Sequence, residues 1–154
     1  MLNPGLDRID KALVTELQND ARITNKELAA RAGIAPSTCL ERVRALVARG
    51  VIRGYSAEVD LAALGRPIQA LISVRIHRHS RELVDGFRRH ALSLPATVGV
   101  FNVSGSNDFL VQVAVESTDA LRELLIDGIA PRPEVSHTET HLIFDHRRKA
   151  VDPA

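Results

Sequence analysis

Aromatic side chains make up only 3% of these 154 residues, with no tryptophan and a single tyrosine. The cores must therefore be aliphatic, and a base-stacking platform for single-stranded nucleic acid is not expected. The one cysteine, Cys39, rules out an internal disulfide and suits a reducing compartment. No apolar run approaches the roughly 18 residues that span a bilayer. The N-terminal MLNPGLDRIDK has no basic stretch followed by an apolar one, so it does not read as an export signal. A cytoplasmic protein without a membrane partner is expected. Phosphate-cradling glycine loops ending in Lys-Ser/Thr and the G-x-G-x-x-G fingerprint are both absent. His77 with His79, and His137 with His141, can share strand faces. No Cys or carboxylate set completes a ligand shell at recognised spacing, so neither a metal nor a cofactor is expected. The His137/His141 face could instead titrate near neutral pH and tune assembly. A catalytic reading would need a nucleophile beside a base. Ser104 or Ser106 with His137 is the conceivable pair, and nothing in the spacing predicts their contact.

A hydrophobic fraction of 45% is that of a globular protein. The most informative stretch is residues 24–50, TNKELAARAGIAPSTCLERVRALVARG. Thr24 and Glu27 form a capping box, with Ile23 and Leu28 placed as a hydrophobic staple. Gly33 can close the helix that they start. Pro36 suits the first turn of the next helix, where its missing N–H is not needed. Cys39, Val43, Leu46 and Val47 give that helix an apolar stripe, and Gly50 ends it. Its position on this stripe makes Cys39 a buried structural thiol rather than a nucleophile. Helix, short glycine turn and helix is the helix-turn-helix arrangement, whose second helix enters the DNA major groove.

Opposite the apolar stripe lie Ser37, Glu41 and Arg44, with Thr38 and Arg42 on the flank. Hydroxyls and guanidinium forks bond base edges and phosphates. Between residues 36 and 53 the arginines Arg42, Arg44, Arg49 and Arg53 face the single acid Glu41. That modest basic footprint would be doubled by dimerisation. The competing interpretation is a solvated helix in a small bundle. Upstream, residues 6–19 form a helix with Leu6, Ile9, Leu13 and Leu17 on one face, capped by Asp7, with Asp10 completing a box. Downstream, VIRGYSAEVD favours a strand interrupted at Gly54, read as a wing or connecting strand with Arg53 near the DNA.

The run LDRIDKALVTELQNDARITNKELA, followed by GIAPSTCLERVRALVARGVIRGYSAEVD, resembles the N-terminal half of the Lrp/AsnC family. These are the leucine-responsive, feast/famine transcription regulators, and the similarity extends over essentially the whole chain. Ala35 departs from the Ser usual in that family at the cap of the recognition helix.

Residues 61–67, with Gly65 and Pro67, read as a hinge. Residues 68–76 alternate as a strand with Ile68, Ala70, Ile72, Val74 and Ile76 on one side. A helix over 81–92 turns Leu83, Val84, Phe87 and Ala91 inward. Strands are expected over 97–104 and 109–115, joined by the turn Gly105-Ser106-Asn107-Asp108. A helix capped by Ser117 or Thr118 carries Leu121, Leu124, Leu125 and Ile129 and stops before Pro131. A last strand starts at Val135 and runs to about Phe144. The order β-α-β-β-α-β is the split ferredoxin-like unit, with both helices on one side of the sheet. Leu71, Phe101, Val103, Leu110 and Ala114 give the other side apolar groups that a partner would cover, and a two-fold homodimer is the simplest cover.

The fold class is therefore α+β: an N-terminal winged helix-turn-helix domain plus a C-terminal ferredoxin-like βαββαβ domain. The second resembles the family's RAM domain, which implies homodimers that often assemble to octamers. The domain reading is 1–54 for DNA binding, 55–67 for the connecting strand and hinge, 68–146 for ligand binding and oligomerisation, and 147–154 for a basic tail. The turn 105–108 resembles the family's Gly-x-x-Asp signature, and Thr138-Glu139-Thr140 its Thr-x-Thr. The resemblance implies an amino-acid effector near these segments, at interfaces between subunits. In such a site the backbone N–H groups of Gly105, Ser106 and Asn107 hold a carboxylate. Asp108 holds the ammonium, and Thr138 and Thr140 complete the polar shell. The alternative is that Gly105 and Asp108 simply make a tight hairpin. Asn107 stands where the family often has an aromatic residue. The reading is a DNA-binding transcription regulator, with double-stranded operator DNA as partner through Ser37, Thr38, Glu41, Arg42, Arg44 and Arg53. The alternatives are a DNA-organising protein without ligand control and a small-molecule enzyme.

Overall fold

The computed structural model describes residues 5–77 and 80–153. The chain divides into two units, Met1–Glu58 with Arg147–Ala154, and Val59–His146.

In the first unit, Asp7 caps α1 (Arg8–Asn19) by accepting the Asp10 N–H. Thr24 caps α2 (Asn25–Ala32) by accepting the Glu27 N–H at 3.2 Å. Gly33 ends α2 at φ 67°, a left-handed conformation that costs a glycine nothing. Pro36 opens α3 (Pro36–Ala48). The three helices bury Leu13, Leu28, Ala29, Cys39 and Leu46, with Ile9, Leu17, Ile23 and Val43 packed around them. Two expectations are corrected here. Val47 is 46% exposed, because eight residues on from Cys39 it has rotated about 80° around the helix, away from the stripe. Asp10 does not serve as the capping-box carboxylate; its oxygens are taken by arginines of α3 and its C-terminal cap.

The strand expected over 51–60 does not form. Val51 and Ile52 donate their N–H groups back to Leu46 O, and residues 53–60 are neither helix nor strand. Strand-favouring residues need a ladder partner to become a strand, and this segment pairs with none in the described chain. The tail returns to this unit, where Gln18 and Val151 exchange two 2.9 Å hydrogen bonds between side-chain amide and backbone.

The second unit contains β1 (Ile68–Ile76), α4 (Arg81–Ser93), β2 (Thr97–Asn102), β3 (Phe109–Val115), α5 (Thr118–Glu123) and β4 (Val135–Leu142). A π-helical turn, Leu124–Ile129, extends α5. The sheet order is β2-β3-β1-β4 with every neighbouring pair antiparallel. Ile72, Val74, Val111 and Val113 pack with Phe87, Ala91, Leu121 and Ile129. The Phe87 and Phe109 rings meet at 4.8 Å between centroids, and each ring buried contributes about 2–3 kcal/mol. β2 and β4 are two residues shorter than expected. At the end of β2, the Val103 N–H and the Asn102 side chain both donate to Asp108 O, which turns the chain instead of extending the ladder.

The register decides the faces. Leu71, Ser73 and Arg75 lie opposite His141, Glu139 and His137 on β4, and Leu71 and Ser73 opposite Gln112 and Leu110 on β3. Phe101, opposite Leu110, is 51% exposed on this same side, away from the buried cluster. His137 and His141 thus share a face with Glu139 between them; His79 lies outside the described residues. Among the described residues no helix is long and apolar enough to cross a membrane.

Candidate nucleic-acid interface and ligand-binding turn

Helix α3 presents Ser37, Thr38, Glu41 and Arg44, all exposed, opposite the buried Cys39 and Leu46. Burial pushes the Cys39 thiol up from its ordinary range, which keeps it protonated and inert. The start of α3 is unusual. Ala35 offers no side-chain cap, so the N–H groups of the first turn are left for an outside acceptor. A helix N-terminus of this kind favours a phosphate oxygen. Asn25 steadies it from α2, donating its side-chain N–H to Pro36 O at 2.8 Å.

Arg42 is engaged within its own unit. Its Nη1 donates to Asp7 Oδ2 at 2.7 Å and to Asp10 Oδ1 at 2.8 Å, and Arg49 Nη1 stands 3.5 Å from Asp10 Oδ2. The Asp10 side chain is only 11% exposed. This cluster ties α3 to α1. The Asp10 N–H and then the Arg42 guanidinium hold the Asp7 carboxyl below its usual range. The two aspartates in turn raise Arg42. Both bonds use Nη1, so two carboxylates of its own unit compete with any phosphate for the Arg42 guanidinium. Arg31 does similar work between α1 and α2, joining Glu16 at 2.7 Å and Glu27 at 2.6 Å. Arg53 is exposed in the segment after α3 and borders a cleft of about 640 Å³ with Gln18, Tyr55, Arg148 and Val151.

In the second unit the turn 105–108 hangs on β1. Gly105 adopts φ 115°, open to glycine and strained for other residues. Asp108 N donates to Val74 O at 2.9 Å, Ile76 N donates to Asp108 Oδ2 at 2.8 Å, and Arg75 Nε donates to Ser106 O at 2.6 Å. The Asp108 carboxylate thus anchors the hairpin, as the simpler reading of the turn requires. Thr138 and Thr140 lie on β4 opposite Val74 and Ile72. Strand β1 separates them from the turn, which places the two segments two strand spacings, about 10 Å, apart. Sequence reasoning passed over Glu134, a buried acid in the loop before β4; the run Pro131-Arg132-Pro133-Glu134 gives no periodic signal of burial.

Residues 6–53 match the family described as winged helix-turn-helix DNA-binding. Residues 69–150 match the Lrp/AsnC ligand binding domain. The chain is 41% identical over 145 residues to the HTH-type transcriptional regulator AldR of Mycolicibacterium smegmatis, spanning 94% of this chain and 85% of that protein. It is 38% identical over 137 residues to the leucine-responsive regulatory protein of Rhizobium meliloti, spanning 89% and 88%. The crystal structure of a transcriptional regulator from Neisseria meningitidis in complex with L-Met matches with a TM-score of 0.85 at 25% identity, over 96% of this chain and 95% of that one. With a helix-turn-helix that exposes one face of α3 and a ferredoxin-like second unit, this chain belongs to the Lrp/AsnC family of DNA-binding transcriptional regulators with a ligand-binding domain.

Proposed function

We propose that the protein is a sequence-specific regulator of amino-acid metabolism whose grip on its operators is set by a bound amino acid. The observation that carries the reading is the exposed face of α3, Ser37, Thr38, Glu41 and Arg44, on a helix clamped to α1 through Arg42. Ser37 and Thr38 sit where the first turn of a recognition helix meets base edges. Glu41 can accept from a cytosine amino group, and Arg44 and Arg53 can neutralise phosphates.

The effector belongs to the second unit. Because β1 separates the turn 105–108 from Thr138 and Thr140, a small ligand touching both needs two copies of the chain to supply them. The open sheet face, with Phe101 exposed and Leu71 and Leu110 half-buried, supports a homodimer as the basic particle. Further assembly of dimers would create additional interfaces for the ligand. A ligand then acts through its different affinities for the assembly states.

The test is fluorescence anisotropy on DNA from upstream of the protein's own gene, with and without each of the twenty amino acids. One amino acid that shifts the operator affinity supports the reading and names the effector. Tight operator binding that every amino acid leaves unchanged would overturn the amino-acid control and favour a ligand-free DNA-organising role.

A further inference from the structure

The tail of the chain leaves one unit and joins the other. It departs the sheet after Ile143, whose N–H still donates to Gln69 O at 2.9 Å. From Arg147 on it belongs to the first unit. There Val151 meets Gln18, near the end of α1, in a two-point pairing. The Val151 N–H donates to Gln18 Oε1 and the Gln18 Nε2 donates to Val151 O, both at 2.9 Å. A primary amide that answers both the N–H and the C=O of one residue copies a rung of a β-ladder, and it fixes the tail in place and direction. The partners are 133 positions apart, so proximity along the chain does not bring them together.

Neighbouring residues of the tail extend the contact. Val151 and Pro153 line the cleft of about 640 Å³ with Val14 and Leu17 of α1 and with Ile52 and Tyr55. Arg148 and Lys149 border a second cleft with Asn19 and Glu58. The tail therefore lies against both α1 and the segment that follows α3. Val151 is 72% exposed and Gln18 is exposed, so water competes for both hydrogen bonds and the dock can open.

The other connection between the units runs through residues 53–60, which form neither helix nor strand. Before it, the Ile52 N–H donates to Leu46 O. After it, Arg66 Nη1 donates to Pro95 O at 2.6 Å, within the second unit. With the tail docked, two stretches of chain rather than one join the helices to the sheet. A body hung on one flexible stretch swivels about it, and a second attachment removes that freedom and limits its reach. In a two-fold dimer each DNA-binding unit meets one half-site, so this freedom decides which half-site spacings are accepted. We propose that residues 147–153 are a strap that docks on Gln18 and makes the dimer selective for the spacing of its half-sites. Release of the strap widens the spacings accepted. The spacing role rests on the operator reading above; the dock itself does not.

Two variants test it. Gln18→Ala removes both bonds to Val151 at an exposed helical position that alanine suits. A chain ending at Lys149 lacks the docked residues and keeps the basic ones. Trypsin, which cuts after Arg147, Arg148 and Lys149, reads the dock without DNA. Mass spectrometry should show folded Gln18→Ala cut there at least about threefold faster than the parent; equal rates would overturn the dock. For the spacing role, a duplex selected by the parent from a random pool is respaced by about half a helical turn, roughly 5 bp. The parent should lose at least about tenfold in affinity on the respaced duplex, and both variants less than about threefold. Equal losses in parent and variants would overturn the strap's role. A parent that selects no duplex would overturn the operator reading and the spacing role with it, while the trypsin comparison still decides the dock.

Discussion

Replacing Asp10 by Ala removes a carboxylate that is 11% exposed and holds Arg42 at 2.8 Å and Arg49 at 3.5 Å. Hydrogen bonds to charged groups contribute about 1.5–3 kcal/mol each, and breaking a fully buried pair costs about 3–5 kcal/mol. Neither limit applies in full. Arg42 and Arg49 keep 32% and 27% of their side-chain exposure, so water screens what is lost. Arg42 also retains Asp7 at 2.7 Å. The expected loss is about 2 kcal/mol, which lowers the melting temperature of so small a unit by roughly 10 °C. Arg42→Met, which keeps the alkyl packing, should destabilise the same unit. The double variant should fall short of additivity by about 1 kcal/mol or more. Thermal and urea melts followed by circular dichroism read this out. At a temperature where all variants are folded, Arg42→Met should bind operator DNA with unchanged salt slope. Stability within about 0.5 kcal/mol of the parent, with a salt slope reduced by about one, would return Arg42 to the DNA interface and refute the clamp.

The exposed Arg44 should behave in the opposite way. Arg44→Ala should leave stability within about 0.5 kcal/mol and reduce the operator salt slope by about 0.9 if it meets a phosphate, read by anisotropy at several salt concentrations. The Asp7 carboxyl is held low by the Asp10 N–H and Arg42. Its stabilisation is therefore present in full above the unfolded value near 3.8 and is lost as pH falls through the lower folded value. Acid titration of Asp7→Asn should show a shallower decline over that interval than the parent. Asp108→Ala leaves the Ile76 N–H without its side-chain acceptor and should destabilise the second unit by about 1–3 kcal/mol, measured by calorimetry.

Local signals carried most of the fold. Thr24, Gly33 and Pro36 mark helix ends through their own backbone and side-chain chemistry, so α2 and α3 were legible to the residue. The alternation of Ile68 to Ile76 and Phe109 to Val115 likewise located β1 and β3. What escaped depends on partners distant in sequence. Residues 51–60 have strand composition but no ladder. The engagement of Arg42 by Asp7 and Asp10 exists only once α1 folds back onto α3. The π turn after α5 is sustained by packing: a Cβ on Gly128 would stand 3.3 Å from Leu124 Cδ1, and Gly128 O meets His90 Nε2 at 2.6 Å. In the candidate ligand site the turn at Gly105 was legible. The intervening β1, which parts it from Thr138 and Thr140, became visible only with the strand order.

The central claim is that α3 reads sequence as well as charge. The direct measurement is the affinity for a duplex from upstream of the gene against a shuffled duplex of equal length and composition, at about 0.15 M salt. The account predicts a preference for the upstream duplex of about 10³ or more, diminished by substitutions at Ser37, Thr38 or Glu41. Equal affinities with equal salt slopes would contradict it, leaving a protein that holds DNA by its phosphates alone.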